Sequence, residues 1–339
     1  MKRFLLKRDG NSGCEAIAEE CKTPTPSAGE VLVKIEACSL NYRDLLVKSG
    51  LSASGGGGDV VPLSDGAGVI AQVGEGVTKW QEGDSVALTF FRDWEDGPFE
   101  TRYHQAARGG SCDGVLAEYV TAPAHSIVRV PKHLTTLEAS TLPCAALTAW
   151  HALMERTRSV QKGDTVLCLG TGGVSVFALQ IAKAAGAKVI ITSSSDEKLS
   201  RAGELGVDET INYREHEAWD KQVRELTGGC GADYVIEVGG PGTLERSLNS
   251  VAAGGVIYQI GVLTGFDPPQ VSLFPLVTHN ADINGIYVGS RAMFGRMNAF
   301  LSGHDIHPVI NEEYSFGDAL KAYASMEASR HFGKIVVKI

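Results

Sequence analysis

The chain has 339 residues, of which 43% are hydrophobic and 21% charged, and this composition is typical of a soluble α/β protein long enough for two domains. A formal net charge of −9 argues against a nucleic-acid-binding or anionic-membrane-binding surface. No apolar run approaches the roughly 20 residues of a membrane span, and the N-terminus lacks the apolar segment of a signal peptide. We therefore expect a cytoplasmic protein that acts on a small molecule and binds neither nucleic acid nor membrane.

The first 140 residues contain short runs rich in valine and isoleucine, separated by clusters of Gly, Pro, Asp and Ser. This pattern predicts the strands of a small barrel or sandwich. The predicted strands cover residues 31–35, 68–73, 85–88, 116–120 and 127–130. The stretch 52–59 predicts a flexible loop, and the polar, aromatic stretch 90–112 predicts a functional loop.

Residues 142–153 predict a helix, with Pro143 suitably placed in its first turn. In a regular α-helix Cys144, Thr148 and His151 would share one face, because they are spaced by four and three residues. We interpret His151 as a structural histidine rather than a catalytic group.

The stretch 165–198 predicts a strand–turn–helix–strand unit. An apolar run at 166–169 leads into a glycine-rich turn, and an apolar helical pattern follows, ending at Gly186. Such a turn lets the backbone approach a pyrophosphate closely, beside the free N–H groups of the helix N-terminus. The motif is imperfect because its third fingerprint position is Ser175, but its context after a strand favours dinucleotide binding. The predicted contacts are Gly170, Thr171, Gly172, Gly173 and Val174.

The residue type that follows the second strand of this unit bears on the choice of cofactor. An NAD site usually has an acidic residue about 20 positions after the glycines. Here the chain has Thr192 to Ser195, with Lys198 and Arg201 just beyond. Ser193 and Ser194 leave room for a 2′-phosphate, and Lys198 adds charge, so the pattern favours NADP(H). In the alternative, Asp196 or Glu197 binds the ribose of NAD(H) and the basic residues lie on a solvated helix face.

Strand and helix patterns alternate from residue 146 to residue 288, which predicts a parallel sheet of six strands covered by helices. Ligands bind outside the carboxyl ends of such strands. The predicted strands at 234–238 and 256–260 end near Gly239 and near Ile260, Gly261 and Val262. These positions are therefore expected to border the cofactor.

Several motifs together resemble the medium-chain dehydrogenase/reductase superfamily, and the resemblance covers essentially the whole chain. They are NYRDLL (41–46), PLSDGAG (62–68), LPCAALTAW (142–150), GTGGVS (170–175) and the terminal HFGKIVV. The resemblance implies a β-rich GroES-like catalytic domain at 1–145, completed by 289–339, and a Rossmann dinucleotide-binding domain at 146–288. It also implies a homodimer through the sheet edge of the Rossmann domain.

Within this superfamily the chain resembles the zinc-independent, quinone-oxidoreductase-like branch. Where zinc alcohol dehydrogenases have a cysteine ligand, this chain has Asn41, and where they have histidine and glutamate it has Ser64 and Asp65. Only Cys144 keeps a ligand type, and a catalytic zinc needs about three protein ligands. Cys112 is alone in the loop that carries four cysteines in those enzymes. We therefore expect no zinc.

By resemblance, the segment from Asn41 to Asp44 lines the nicotinamide pocket, and Thr148 contacts the nicotinamide or the adjacent phosphate. A structural reading of Asn41 and Asp44 stays open, with Asn41 as the N-cap of a short helix and Asp44 near N3. Tyr42 is the candidate proton donor, although an aromatic side chain there could also pack in the barrel wall.

Two further cofactor contacts follow from the resemblance. Tyr213 matches the position that packs near the adenosine 2′-phosphate. Lys334 lies where the superfamily has a basic residue for the pyrophosphate, and its alternative is a solvated lysine on an edge strand.

These features predict a zinc-independent reductase that transfers a hydride from NADPH to a conjugated carbonyl such as a quinone or an enone. A conjugated acceptor disperses the incoming charge, so hydrogen-bond donors can replace a Lewis acid. Two alternatives remain: an NAD(P)-dependent alcohol or aldehyde dehydrogenase, and an NADPH-binding protein with little turnover.

Overall fold

The computed structural model of the chain describes residues 1–8, 14–51 and 58–339, so most of the loop predicted at 52–59 lies outside the described residues. The chain divides into two compact units, Met1–Leu147 with Val288–Ile339, and Thr148–Tyr287. Within the described ranges, no helix is long and apolar enough to cross a membrane.

The described strands, numbered in chain order, are β1 (Lys2–Arg8), β2 (Cys14–Glu20), β3 (Glu30–Ser39), β4 (Asp65–Val73), β5 (Ser85–Leu88), β6 (Tyr119–Pro123), β7 (Ile127–Arg129), β8 (Thr165–Cys168), β9 (Lys188–Ser193), β10 (Glu209–Asn212), β11 (Ala232–Glu237), β12 (Val251–Gln259), β13 (Asp282–Gly285), β14 (Ile310–Ser315) and β15 (Lys334–Lys338).

The described α-helices are α1 (Tyr42–Lys48), α2 (Thr136–Ala139), α3 (Leu147–Trp150), α4 (Gly173–Ala184), α5 (Asp196–Glu204), α6 (Trp219–Leu226), α7 (Leu244–Ser250), α8 (Phe274–Thr278), α9 (Arg291–Gly303) and α10 (Ala319–Ala328). Short 3₁₀ helices cover Thr101–Ala106 and Phe316–Asp318.

The first unit is β-rich. Its main sheet has seven strands: six in the order β14-β15-β3-β4-β5-β7, and β6, which pairs with β3 on the edge opposite β4; β1 and β2 form a separate antiparallel pair. β3 is the central strand because it pairs with β4 on one edge and with β6 and β15 on the other. Its alternate residues Val31, Val33 and Ile35 enter the unit's apolar core. One predicted strand is misplaced: the strand expected at 116–120 is observed at Tyr119–Pro123.

The pairing of β15 with β3 brings the two ends of this unit's sequence together. In the antiparallel register Val336 is opposite Ser39 and Val337 is opposite Cys38. The backbone hydrogen bond from Leu40 N to Ile335 O (3.0 Å) continues this pairing, so Lys334 comes to lie beside the start of α1.

The second unit contains the predicted six-stranded parallel sheet, in the order β10-β9-β8-β11-β12-β13. The strands β8, β9 and β11 are apolar on both faces, as expected for a parallel sheet covered by helices. The fold class predicted from the sequence, a β-rich GroES-like domain with a Rossmann domain, is confirmed.

The helix predicted at 142–153 is not a regular α-helix. It consists of a π-helical turn at Leu142–Ala146, one α turn (α3) and a second π-helical turn at His151–Glu155. The second π turn is closed by a hydrogen bond from Arg156 N to His151 O at 2.9 Å. Because π turns shift the angular spacing of side chains, the regular α-helical geometry on which the shared face of Cys144, Thr148 and His151 was predicted does not hold along this stretch.

The stretch 90–112 is built around an aromatic cluster. Trp94 stacks on Tyr103 with ring centroids 5.8 Å apart, and Phe99 packs edge-on against both rings. The buried guanidinium of Arg108 donates hydrogen bonds to Thr89 O (3.1 Å) and Ser126 Oγ (2.9 Å). Aromatic packing therefore gives this segment its structure.

Candidate functional site

The N-terminus of α1 holds the first two predicted site residues. Asn41 is the N-cap residue, with extended backbone, and Asp44 Oδ2 accepts a hydrogen bond from Asn41 N at 2.8 Å. The predicted capping positions are thus correct, but the Asn41 side chain makes no capping hydrogen bond. The side-chain amide of Asn41 is instead available for hydrogen bonds with other buried residues of the first unit.

The Asn41 side chain meets Lys334. Lys334 Nζ donates hydrogen bonds to Asn41 Oδ1 and to Leu40 O, each at 2.6 Å. Lys334 is 2% exposed, so its ammonium is enclosed in the first unit. The alternative of a solvated lysine on an edge strand is therefore wrong, because β15 lies between β14 and β3.

The charge of Lys334 is balanced by Asp65, whose Oδ2 lies 3.7 Å from Lys334 Nζ. Asp65 is fully buried and accepts hydrogen bonds from Ser64 Oγ (2.6 Å) and Cys144 N (3.2 Å). Burial raises the pKa of Asp65, and Lys334 acts against that rise. The Asp65 carboxylate is thus satisfied by two neutral donors as well as by the ammonium.

A second buried carboxylate, Asp44, is less well satisfied. Its Oδ1 has no hydrogen-bond partner among the described residues, and the nearest cation is Arg43 Nη1 at 3.7 Å. Burial raises the pKa of Asp44 to about 6, although Arg43 opposes the shift. Arg43 is itself fixed, since it donates to Arg108 O (2.7 Å) and lies 4.7 Å from the centroid of the Phe90 ring.

Tyr42, the predicted proton donor, is half-buried in the first turn of α1. Its hydroxyl makes no hydrogen bond with any other residue in the described ranges. The group is therefore free to meet a ligand.

The positions that carry zinc in related dehydrogenases do not fit a zinc ion here. The Asn41 and Asp65 side chains are engaged with the Lys334 ammonium, a fixed positive charge that opposes a second cation. Burial, reinforced by the charge of Asp65, raises the pKa of the Cys144 thiol, whereas a zinc ligand must be a thiolate. Across 1–8, 14–51 and 58–339, no group of three or more His, Cys, Asp or Glu side chains could hold a metal.

In the second unit, the glycine turn after β8 has the geometry of a phosphate cradle. Gly170 has φ +70°, and Gly172 is the N-cap of the 12-residue α4 without a side-chain cap. A Cβ at Gly172 would meet nothing within 4 Å, so the turn faces open space. Thr171 is 5% exposed, and Gly173 and Val174 open the helix. The residues present thus fit a dinucleotide pyrophosphate.

Thr192 supports this turn, and the sequence reasoning did not assign it that task. Its Oγ1 accepts a hydrogen bond from Gly170 N at 3.1 Å, which ties the end of β9 to the turn after β8. The parallel pairing of β8 with β9 is the signal that could have suggested the contact.

The predicted 2′-phosphate residues come together at the carboxyl ends of β9 and β10. Tyr213 N donates to Ser193 O at 3.0 Å, and the Tyr213 side chain is exposed. Ser193 itself is 2% exposed and its Oγ accepts from Ser195 N (3.3 Å), which leaves Ser194 as the more accessible of the two predicted serines. Burial, and after it the charge of Arg201, lowers the pKa of Lys198.

Of the two acidic residues that could instead bind the ribose of NAD(H), one already accepts a hydrogen bond within the protein. Asp196 Oδ1 accepts a hydrogen bond from Asn212 Nδ2 at 2.7 Å. Glu197 is exposed in the first turn of α5. Arg201 disfavours the charged form of Lys198 and Glu197 favours it, so charges of both signs act on this lysine.

The turn after β11 is organised by Glu237, which the sequence reasoning did not single out. Its buried carboxylate accepts hydrogen bonds from Gly239 N (2.7 Å), Gly240 N (2.9 Å), Thr243 Oγ1 (2.6 Å) and Ser247 Oγ. The Gly239 N–H is therefore used inside the protein.

The end of β12 is shaped by a close approach to the end of β11. Ile260 N donates to Glu237 O at 2.9 Å, and a Cβ at Gly261 would lie 2.0 Å from Val238 O. Val262 follows, half-buried. Thr148 is the one predicted catalytic residue in this unit, 3% exposed in α3.

Comparison with known proteins identifies the family. The model of the alcohol dehydrogenase GroES-like domain matches residues 27–132, and that of a zinc-binding dehydrogenase matches residues 173–303. A zinc-type alcohol dehydrogenase-like protein of Schizosaccharomyces pombe is 46% identical, over 95% of this chain and 94% of its own length.

Two more similar proteins have different named activities. The crystal structure of an NAD-dependent alcohol dehydrogenase is 31% identical, with a TM-score of 0.88 and full coverage of both chains. A quinone oxidoreductase of Lama guanicoe is 27% identical, over 99% of this chain and 97% of its own length. The chain belongs to the medium-chain dehydrogenase/reductase superfamily and is an oxidoreductase of that family.

Proposed function

We propose that this oxidoreductase uses NADPH to reduce a conjugated carbonyl compound, a quinone or an enone, without a catalytic zinc. The observation that carries the proposal is the Lys334–Asp65 ion pair, with Asn41 bound to its ammonium. By the family resemblance, Asn41 and Asp65 are at positions that hold zinc ligands in the zinc enzymes. A fixed ammonium at this place disfavours a metal. The groups left to stabilise charge on a substrate are hydrogen-bond donors and the buried Lys334–Asp65 ion pair.

Such a site suits an acceptor that spreads negative charge over several atoms. A simple ketone concentrates the charge of an arriving hydride on one oxygen, which zinc enzymes stabilise by Lewis-acid coordination. A quinone or enone delocalises that charge, so a few donors can stabilise the transition state. When bound, NADPH supplies the hydride; the protein must orient the acceptor, stabilise its oxygen and provide a proton.

The residues of α1 are assigned these tasks. Asn41 contacts the carbonyl oxygen, and the Tyr42 hydroxyl, which has no partner among the described residues, delivers the proton. Asp44 holds the start of the helix through Asn41 N at 2.8 Å. Thr148 is assigned to the nicotinamide or its adjacent phosphate, as the family resemblance implies.

The second unit is assigned the cofactor. The turn from Gly170 to Val174 would hold the pyrophosphate, because it is open and lies at the N-terminus of α4. Ser194, Lys198 and Tyr213 would hold the 2′-phosphate, and Ile260 to Val262 would border the cofactor. The hydroxyl residues Thr192 to Ser195 and the basic residues Lys198 and Arg201, in place of an acidic residue directly after β9, are the features that favour NADPH over NADH.

The second candidate is an NAD(P)-dependent alcohol or aldehyde dehydrogenase, which the names of the S. pombe relative and of the NAD-dependent structure favour. A protein that binds NADPH with little turnover is the third. The three differ in acceptor, in metal requirement and in rate, so one assay separates them.

We also propose that the protein forms a homodimer through the β13 edge of the six-stranded sheet. In the described part of the second unit, Phe274 and Val277 of α8 are 70% and 74% exposed, and Ile283 of the edge strand is 37% exposed. Apolar groups beside an open strand edge favour association. Light scattering after size exclusion should give twice the chain mass of 35.9 kDa, and a monomer would contradict this assignment.

The test of function is loss of reduced-nicotinamide absorbance with chelator-treated protein. NADPH and NADH are each combined with quinones, enones and simple aldehydes. The proposal expects turnover of conjugated acceptors with NADPH. Turnover of aldehydes alone, or activity lost on chelation, would support the alcohol dehydrogenase, and NADPH binding without turnover would support the binding protein.

A further inference from the structure

The Asn41 amide contains a buried donor without an acceptor. Asn41 Nδ2 makes no hydrogen bond with the described residues. The acceptor nearest to Nδ2 is the Asp65 carboxylate, since a side-chain hydrogen-bond interaction with Asn41 helps to lower the pKa of Asp65, but that carboxylate is already engaged with Ser64, the Cys144 backbone and Lys334, and no hydrogen bond of regular geometry joins it to Nδ2. Unsatisfied buried N–H groups are rare in native proteins and call for an explanation.

Lys334 determines which polar atom of the Asn41 amide is without a hydrogen-bond partner. A lysine ammonium can only donate, so the 2.6 Å contact with Lys334 Nζ identifies the bound atom of Asn41 as Oδ1. Nδ2 must then point away from the ammonium. The orientation of Asn41 is therefore fixed by a residue of the other end of the unit's sequence.

The contact also changes the strength of the donor. An ammonium on the amide oxygen withdraws electron density from the amide nitrogen and makes its N–H groups better donors. Because Lys334 is 2% exposed, water screens this effect little. Asp65, 3.7 Å away, compensates the charge of the ammonium.

We propose that Lys334 is a positioning residue for reduction: it orients and polarises the Asn41 amide so that Nδ2 donates a hydrogen bond to the carbonyl oxygen of the acceptor. The inference rests on the proposed function and differs from the expectation that Lys334 binds the pyrophosphate. It requires the amide to become reachable when the acceptor binds; Asn41 retains 9% exposure.

The experiment compares Lys334→Met, Lys334→Arg, Asn41→Ala and the Asn41→Ala/Lys334→Met double variant. Each is assayed for kcat with an enone at saturating NADPH, for the NADPH dissociation constant from nicotinamide fluorescence, and for melting temperature. Lys338→Met, which removes an exposed lysine of the same strand paired with Glu313, is the matched control.

We expect Asn41→Ala to lower kcat about a hundredfold, the effect of losing one donor to a developing oxyanion. Lys334→Met should lower kcat at least tenfold and leave the NADPH dissociation constant within about threefold. The double variant should be no slower than Asn41→Ala, because the lysine acts through the amide. Lys334→Arg should recover part of the rate, and the control should match the wild type.

Removing Lys334 alone leaves Asp65 as a buried, uncompensated charge, which can unfold a protein. The Asp65→Asn/Lys334→Met variant removes both charges and keeps the test possible; its kcat should also fall at least tenfold relative to Asp65→Asn.

The inference is overturned if loss of Lys334 weakens NADPH binding tenfold while kcat at saturation is retained, since the lysine would then bind the pyrophosphate. Losses that multiply in the double variant would overturn it too. A wild type inactive toward every conjugated acceptor would overturn the proposed function itself. An active wild type whose lysine variants are unaffected would overturn this inference and leave the proposed function standing.

Discussion

Lys334 Nζ lies 2.6 Å from Asn41 Oδ1, although the two residues are 293 positions apart in the chain. The contact joins a buried cation to the N-cap of α1 and, through Asp65 at 3.7 Å, to the start of β4. Two of the residues it joins, Asn41 and Asp65, are at positions that the family resemblance matches to zinc ligands. The predictions below test the surroundings of this contact and of the cofactor unit.

The first prediction concerns pH and stability. The pKa of Asp44 is raised to about 6 in the folded protein, against 3.8 ordinarily, so the folded state binds this proton more tightly than the unfolded state. The free energy of unfolding should therefore fall as pH rises from about 3.8 to about 6, by about 3 kcal/mol in total. Asp44→Asn removes the ionisation and keeps an acceptor for Asn41 N.

Urea unfolding between about pH 3.5 and pH 7.5 measures this effect. We expect Asp44→Asn to gain stability relative to the wild type as pH rises, and the exposed Asp96→Asn variant to follow the wild type at each pH. A constant difference between Asp44→Asn and the wild type across the range would show that Asp44 is ionised throughout.

The second prediction concerns cofactor choice. Lys198→Ala should weaken NADPH binding about tenfold or more and leave NADH binding within about twofold, because a charged contact to a phosphate contributes about 1.5–3 kcal/mol. Fluorescence titration with each cofactor measures both constants. The exposed Lys221→Ala is the control. Equal losses for NADPH and NADH would place Lys198 away from the 2′-phosphate and favour the acidic alternative.

The third prediction concerns Glu237. Its carboxylate accepts four hydrogen bonds in a fully buried position, so Glu237→Gln replaces charge-assisted bonds by weaker neutral ones. We expect a loss of about 2 kcal/mol in the free energy of unfolding, measured by urea denaturation, and no change in Glu225→Gln, an exposed substitution in α6. A Gln variant as stable as the wild type would mean that the charge of Glu237 is not needed.

Features set by neighbouring residues were predictable from the sequence. The glycine turn after β8 and the helix that ends before Gly186 follow from hydrophobic spacing and glycine placement, and the structure has α4 at Gly173–Ala184 with Gly186 at φ +85°. The parallel sheet follows from the alternation of strands and helices.

Features set by long-range packing were not predictable. The meeting of Lys334 with Asn41 depends on the register of β15 against β3, which no local pattern encodes. The π turns at Leu142–Ala146 and His151–Glu155 contradict the regular periodicity inferred there, because the same apolar spacing suits an α-helix. Glu237 was missed because a buried carboxylate is recognised by its donors, which come from a turn and a helix that follow it.

The most direct test of the account follows the hydride itself. Chelator-treated protein is given NADPH deuterated at the transferable C4 position and an enone, and the product is examined by NMR. We predict a saturated ketone with deuterium on the β-carbon, formed with uptake of one proton from the protein or solvent. An allylic alcohol with deuterium on the carbinol carbon, or a product that forms only after zinc is restored, would contradict metal-free reduction of a conjugated carbonyl.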